Sequence, residues 1–518
     1  MTTLVYGLAV AGRSTAKFLA ARGEPLLLAD DRVSTDNAEF AASLGAELVE
    51  GPEAAMVCAK RIADFSQVAP SPGVPESHPI IASALRAHIE LVSEIELAYR
   101  AEQASGRPRP IVAITGTDGK TTTTLMAAAM LSASGRNAAA VGNTETPWVE
   151  ALDDQHDVYA VECSSFRLHY TRDFRAEAAT WLNLAPDHLD WHRNMDSYRG
   201  AKMRIWQSAR ASDVAVAPAN DEAILGSARS TNARVVTFGM TKADYRVEGQ
   251  ALVGPLGRIV DVAQLGRSLP HDLTNALAAS AMVLESGLGT VEGVASALAR
   301  YRHAPHRIQF VGEVDGVSYY NDSKATSPHA AQAALTSFEH IVLIAGGKNK
   351  GLDLSTLASQ PHRMRAVVAI GQSATLIENA FADVCPVTRA DSMTDAVRAA
   401  QRLATTRAFA ELAAQSVQPD SAVVDGRWNF VSPNVPQVLM QVKADAESLS
   451  VAAASVLAKV SRDRLMREAA EVHPHWAFAS SKGYPCPKHR SGLLEHGVSP
   501  LHRTSWAFMA NLGLSPVR

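Results

Sequence analysis

Cysteine is scarce in this chain. The four, Cys58, Cys163, Cys385 and Cys486, are scattered and form no Cys-x-x-Cys pair. That spacing speaks against a disulfide framework and a structural zinc site, and fits a reducing compartment. A surplus of one charge is missing as well. Lysine and arginine number 49 against 53 aspartates and glutamates, a net charge of −4. No global basic field exists to hold nucleic acid, although a local patch is left open. Long apolar runs are absent, and Met1 leads into TLVYGLAVAG with no basic stretch before it. Neither a signal peptide nor a membrane span is expected, and the expected location is cytoplasmic. No repeat of fixed period and no low-complexity segment is found.

What is present is ordinary globular material, 47% hydrophobic and 20% charged over 518 residues. At roughly 100–200 residues per domain, three to four domains are expected. TLVYGLAV reads as a strand, STAKFLAARG as a helix and PLLLAD as a second strand, the pattern of a βαβ unit. Gly7 and Gly12 fall where a nucleotide-binding turn would lie, but Ala9 stands in place of the second glycine of a G-x-G-x-x-G motif. ASGRPRP (104–110) reads as a linker. IVAIT is a buried strand running into GTDGKTTTT and the helix TLMAAAMLSASG. Near HAPHRIQFVG (303–312) a third unit begins, with the apolar runs HIVLIAGG and AVVAIG, each followed by a helix. From about residue 401 the rhythm changes. A helical stretch leads to SAVVDGRW, and later to the long helical pattern SVAAASVLAKVSRDRLMREAAEV.

ITGTDGKTTTT carries the sharpest chemistry. Gly116 and Gly119 let the backbone curl and aim its N–H groups at phosphate oxygens, and the following helix adds the positive end of its dipole. Thr117 and Asp118 complete the loop. Lys120 can reach the β- and γ-phosphates, while Thr121 or Thr122 can offer a hydroxyl to Mg²⁺. The strict GxxxxGK[ST] pattern fails at Ile114, and a glycine-rich turn without a ligand is the alternative reading. Downstream, Glu162 closes the run DVYAVE. LNLAPDHLDWH then supplies Asn183, Asp187, His188, Asp190 and His192, and AKMRIW supplies Lys202. Mg²⁺ favours oxygen ligands, so Glu162 suits it and His188 is a less usual ligand. Taken singly, these residues read equally as a solvated loop.

GTDGKTTTT, VECSSF, LNLAPDHLDWH, AKMRI, LPHDLTNALAA, APHRIQ and NDSKATSP follow in this order. Together they resemble the Mur ligases of peptidoglycan synthesis, over about residues 1–400. SSF after the glutamate and the form DSKAT resemble the branch that adds D-glutamate to UDP-N-acetylmuramoyl-L-alanine. The resemblance implies an α/β chain: a Rossmann-like UDP-binding domain (1–104), a P-loop ATPase domain (105–302) and a Rossmann-like C-terminal domain (303–400) that is truncated. It implies ATP and, with two ions expected, Mg²⁺ as cofactors. The terminal carboxylate is phosphorylated, and the amine of D-glutamate displaces phosphate from the acyl phosphate. By this resemblance Lys120 and the loop amides hold the phosphates, and Thr121, Glu162 and His188 serve Mg²⁺. Lys202 matches a lysine that is carbamylated to hold a second ion. Asn275, Arg307 and Asp322 match nucleotide-side positions. His192 lies near the reaction centre, and Lys324, Thr326 and Lys348 match positions near the amino acid and the transferring phosphoryl. Gly7, Ser71, Asn143 and Ser164 fall on the side of the UDP substrate. Two departures stand out. The family's GNIG segment is GNTET (142–146) here, and its closing Ser-Pro-Ala-Cys-Ala-Ser segment has no counterpart.

From about residue 402 the chain is similar to ribonuclease HII. The matching strings are QPDSAVVDG, VKADAESLSVAAASVLAKVSRDRLM, SSKGYPCPKH and VSPLHRTSW. Such nucleases need about four carboxylates around two metal ions. Asp425 and Asp445 match two of them, Asp463 is a further candidate, and Tyr484 resembles a residue that meets nucleic acid near the ribose. The family's opening Asp-Glu-Ala-Gly-Arg-Gly segment is missing; NDEAIL (220–225) is the nearest string. Residues 401–518 therefore read as a partial ribonuclease H-like α/β segment, with nucleic acid a partner only if it functions. HPHW, Cys486 and His489 lack the paired spacing of a zinc site. A ligase, a bifunctional ligase–nuclease and an inactive fusion all stay open.

Overall fold

The computed structural model describes residues 2–349, 351–415, 421–425, 437–441, 470–471, 473–478 and 487–496. Contacts divide the chain into two units. One holds Met1–Pro305, Ala325–Ser337 and Lys350–Leu357; the other holds His306–Lys324, Phe338–Asn349 and Ala358–Arg518.

In the first unit, apolar runs joined by helices build two parallel sheets. The first comprises β1 (Thr2–Tyr6), β2 (Leu26–Asp30), β3 (Glu47–Glu50), β4 (Phe65–Pro70) and β5 (Glu90–Leu91), in the order β3-β2-β1-β4-β5. The helix after β1 spans Val10–Ala21, starting four residues ahead of the expected STAKFLAARG. Gly12 therefore lies on that helix, not in the turn. A Cβ there would strike the Gly7 carbonyl oxygen at 1.9 Å, so the glycine permits close packing of helix on turn. Gly7 itself turns the chain at φ +90°, a conformation that favours glycine.

The second sheet comprises β6 (Ile111–Thr115), β7 (Ala138–Gly142), β8 (Val158–Glu162), β9 (Ala178–Trp181), β10 (Val214–Pro218) and β11 (Arg234–Phe238). Its order is β11-β10-β9-β6-β8-β7. Every residue of β6, β8 and β10 is buried, as expected when helices cover both faces of a parallel sheet. Chain order reverses across β6, whose neighbours are β8 and β9, and ligands of open α/β sheets bind at such switch points. Ile114 pairs with Glu162 and Thr115 with Trp181. That register brings the loop after β6, the end of β8 and the end of β9 to one edge. Beyond it lie an antiparallel sheet, β12 (Arg246–Glu248), β13 (Ala251–Gly254) and β14 (Gly257–Asp261), and the largely buried helix Pro270–Glu285.

In the second unit, β15 (Gln309–Val314) and β16 (Val317–Asn321) form a hairpin. β17 (Ile341–Gly346), β18 (Met364–Ile370) and β19 (Val387–Ala390) form a parallel sheet in that order. The apolar runs HIVLIAGG and AVVAIG supply β17 and β18. The helix Met393–Gln415 runs unbroken across residues 400 and 401. β20 (Ser421–Asp425) pairs in parallel with β21 (Gln437–Gln441), and a helix spans Pro487–His496.

Candidate active site

The loop between β6 and the helix Lys120–Ala133 is braced from below. The Asn183 side-chain oxygen accepts from the backbone N–H of Thr117 at 3.0 Å and of Asp118 at 2.9 Å, and its amide donates to the Asp118 carbonyl. The Thr117 hydroxyl lies 3.1 Å from that of Tyr198 and receives the N–H of Ala185. These bonds hold the loop in its curl. Gly119 adopts φ +82°, and a Cβ there would come within 2.6 Å of Asn275 Oδ1. At Gly116 a Cβ would lie 3.0 Å from that of Leu182. Conformation therefore favours glycine at 119, while a side chain at 116 would press on Leu182 and the Asp118 carbonyl. Lys120 Nζ donates to the carbonyls of Gly116 and Thr117 at 2.9 and 2.7 Å, placing its charge against the loop. Asp118 pairs with His329 at 2.5 Å. Thr121 and Thr122 occupy the first helical turn, with Thr122 buried.

Glu162 ends β8 with 1% of its surface exposed. Its Oε1 accepts from Asn143 Nδ2 at 3.0 Å, whereas its Oε2 is buried with no hydrogen-bond partner. A carboxylate oxygen left bare is costly unless a cation meets it. Behind it runs a chain of contacts: the buried Arg167 donates to Oδ1 of the exposed Asn143 at 2.5 Å and to Glu94 Oε2 at 3.2 Å. Glu94 also accepts from the N–H of Val149. Burial pushes its carboxyl up, while Arg167 pulls it down. Ser164 caps the short helix Ser165–Leu168. Nothing in the sequence singled out Glu94 or Arg167; only the fold brings them behind Glu162.

Lys202 is 1% exposed, and its Nζ donates to the Gly116 carbonyl at 2.6 Å. The same oxygen receives Lys120. Burial, then the neighbouring Lys120 charge, holds Lys202 well below the usual lysine range. His188 is partly exposed and adopts φ +55°, its Nε2 lying 3.4 Å from Asp187. His192 is buried. Its Nε2 lies 2.9 Å from Ser165 Oγ, and its Nδ1 turns toward Glu76 at 3.7 Å. Burial above all lowers its pKa to about 4.

On the first sheet, Ser71 Oγ donates to the Gly7 carbonyl at 2.5 Å. Thr326 is exposed. In the second unit, Asp322 accepts from the N–H of Ile308 at 3.0 Å and Lys324 N–H donates to the His306 carbonyl. Arg307 is half-buried; Lys324 and Lys348 are exposed. Asp425 closes β20. Asp445, Asp463, Tyr484 and Cys486 lie outside the described residues. His489 is buried on its helix.

Family models match the chain in four stretches. They are a MurD-like Mur ligase N-terminal domain (1–93), a Mur ligase middle domain (114–283), a Mur ligase glutamate ligase domain (306–412) and ribonuclease HII (375–509). The fold of MurF from Acinetobacter baumannii superposes with a TM-score of 0.50 at 17% identity, covering 85% of this chain and 87% of that one. The chain belongs to the Mur ligase family, and is thus an ATP-dependent amide ligase of a Mg²⁺-dependent class. Within the family, it is 40% identical over 429 residues to UDP-N-acetylmuramoylalanine–D-glutamate ligase of Frankia casuarinae, spanning 78% of this chain and 87% of that protein. The enzyme of the same name from Thermobifida fusca is 35% identical over 77% of this chain and 90% of its own length.

The residues fit the family's cofactors. The bare Glu162 oxygen suits a hard cation, and the glycine cradle suits a polyphosphate. Among the described residues no helix is long and apolar enough to cross a membrane.

Proposed function

We propose that this chain joins D-glutamate to the L-alanyl carboxylate of UDP-N-acetylmuramoyl-L-alanine in the cytoplasm, converting ATP to ADP and phosphate. The observation that carries the reading is the shared edge. The phosphate cradle, the unpartnered Glu162 oxygen and the buried Lys202 all meet at the ends of β6, β8 and β9. The loop amides of residues 116–119 and the Lys120 ammonium hold the β- and γ-phosphates. Thr121, Glu162 and His188 would hold Mg²⁺, which when bound neutralises charge on the transferring phosphoryl. Lys202, whose pKa burial lowers, would as the free amine take up CO₂ to give a carbamate and one proton, and that carbamate would hold a second ion.

The substrate carboxylate attacks the γ-phosphorus, forming an acyl phosphate and releasing ADP. The neutral amine of D-glutamate then adds to the acyl carbon, and the tetrahedral adduct expels phosphate and a proton. Gly7, Ser71, Asn143 and Ser164 serve the UDP substrate, with His192 near the reaction centre. Asn275, Arg307 and Asp322 serve the nucleotide. Lys324, Thr326 and Lys348 meet the anionic amino acid and phosphoryl group, where preorganised cations are most effective. The working division is 1–104, 105–302 and 303–400, with 401–518 a nuclease-like appendage. Phosphate release should require ATP, UDP-N-acetylmuramoyl-L-alanine and D-glutamate together. Equal release with either acceptor component omitted would refute the assignment.

A second reading rests on the ribonuclease HII match at 375–509: a bifunctional ligase–nuclease, or a fusion in which one part is inactive.

A further inference from the structure

Behind the wall that carries His188, three side chains from separate segments converge. Glu76 follows β4, His169 follows the helix Ser165–Leu168, and His192 precedes the helix Met195–Met203. We propose that Glu76, His169 and His192 form a binding site for one transition-metal ion of the Zn²⁺ class, distinct from the Mg²⁺ set at Glu162.

Geometry is the first support. One ligand atom from each of the three lies within 4.8 Å of the others. Tetrahedral ligands at about 2.0–2.1 Å from Zn²⁺ stand about 3.3 Å apart. Glu76 Oε2 and His192 Nδ1 are already at 3.7 Å, too far for a hydrogen bond and close to the separation of two ligands on one ion. Small side-chain rotations would close the rest.

Unsatisfied atoms are the second support. His169 Nδ1 and His192 Nδ1 are both buried without a hydrogen-bond partner. Two bare imidazole nitrogens beside a carboxylate are costly in a dry interior. A metal ion would satisfy both nitrogens and the carboxylate together. Glu76 is held below the ordinary carboxylate range. Burial opposes its charge, but the Ser197 hydroxyl, His169 and Arg193 outweigh it.

The supporting contacts are built as well. Ser165 fixes His192 through Nε2 at 2.9 Å, leaving Nδ1 for the ion. Ser197 donates to Glu76 Oε2 at 2.5 Å, and Arg193 approaches Oε1 at 3.2 Å. Such outer contacts orient ligands and tune affinity. Phe166, Tyr170 and Trp191 pack their rings against the two imidazoles. Two imidazoles and one carboxylate select Zn²⁺, Co²⁺ or Ni²⁺ over Mg²⁺, which prefers oxygen. The ion would tie the loop after β4 to the two segments that flank it.

The test uses the full chain in excess Mg²⁺, dialysed against limiting Zn²⁺ and assayed for bound metal. One equivalent should bind. It should persist in Glu162→Gln, and its affinity should fall at least about tenfold in Glu76→Gln and in His169→Gln, the least expected even for a lost supporting contact. Co²⁺ in place of Zn²⁺ should give the intense visible bands of a tetrahedral ion. His169→Cys should add a sulfur-to-cobalt charge-transfer band in the near ultraviolet, a signature that a purely structural role would not produce. No bound equivalent, an equivalent unaffected by both substitutions, or a cobalt spectrum unchanged in His169→Cys would overturn the proposal. None of these readouts depends on ligase activity.

Discussion

Two lysines share one carbonyl at the phosphate loop, and their environments separate their roles. Lys120 sits on the loop's rim, partly exposed, whereas Lys202 is sealed beneath it. Lys120→Ala should abolish ATP turnover, by about a hundredfold or more, because a point cation at the phosphates is worth several kcal/mol in a dry site. The circular dichroism spectrum should not change, since Asn183 and Tyr198 still hold the loop when the Lys120 contacts are lost. Near-normal turnover would remove the phosphate-loop assignment. Lys202→Ala should be equally inactive, yet partly rescued by formate or acetate if the working group is a carbamate. An inactive variant that no small carboxylate revives would count against carbamylation. Lys120 was legible from sequence because glycine, lysine and paired threonines crowd one strand-to-helix turn. The sealed state of Lys202 was not, because it depends on where the helix Met195–Met203 packs.

The end of β6 was legible in the sequence as a strand running into a loop and that of β8 as the close of an apolar run, but β9 and the order of the strands in the sheet were not. Adjacency of β6 to both β8 and β9 is a long-range pairing, and it alone makes neighbours of residues 116, 162 and 183. The same holds for the hydrogen-bonded chain Glu94–Arg167–Asn143–Glu162, whose members lie on four separate segments. Arg167→Met should destabilise the fold by about 3–5 kcal/mol, because Glu94 would remain buried without its partner. Adding Glu94→Gln should recover most of that loss in urea unfolding. The double variant should still require more Mg²⁺ for turnover, since Asn143 would lose the contact that orients its amide toward Glu162. A single variant as stable as the parent would show that the ion pair is not what holds this wall. A second element-scale effect lies at the start of the helix Pro270–Glu285. Arg267 donates to His303 Nδ1 at 3.3 Å and pairs with Asp272. Burial first, with the Arg267 charge, lowers His303 to about 4, although Asp272 opposes the shift. Unfolded, this histidine takes up a proton near pH 6.5; folded, it does so only near 4. The unfolded state therefore binds more protons across that window, and stability should fall as pH drops from about 6.5 toward 4. His303→Gln should flatten the slope by up to roughly 3 kcal/mol across the window. An unchanged slope would mean that other groups set it.

At the scale of the whole molecule, ligase motifs span about three quarters of the chain and a nuclease resemblance occupies the rest. The models for the glutamate ligase domain and for ribonuclease HII overlap over residues 375–412. Within the overlap, β19 is followed by the helix Met393–Gln415, which runs on past residue 412. Composition could not reveal this, since both halves are ordinary globular α/β sequence. The two resemblances differ in completeness, and that difference decides the chemistry. The ligase strings supply a full glycine-rich loop, the buried Glu162 carboxylate and the buried lysine. The nuclease strings supply Asp425, at the end of β20, and Asp445, but no counterpart of the Asp-Glu-Ala-Gly-Arg-Gly segment. In a two-metal displacement one ion activates the attacking water and the other stabilises the leaving oxygen. Two carboxylates would bind Mg²⁺ loosely, because it dehydrates reluctantly and demands near-octahedral oxygen geometry. Without the Gly-Arg-Gly loop, a group that would read the 2′-hydroxyl, the feature separating RNA from DNA, is also missing. The purified chain should therefore leave intact a DNA duplex carrying a single ribonucleotide, with Mg²⁺ or with Mn²⁺. Cutting that disappears in Asp425→Asn would reverse this conclusion, and would mean that carboxylates from outside the nuclease-like segment complete its metal site.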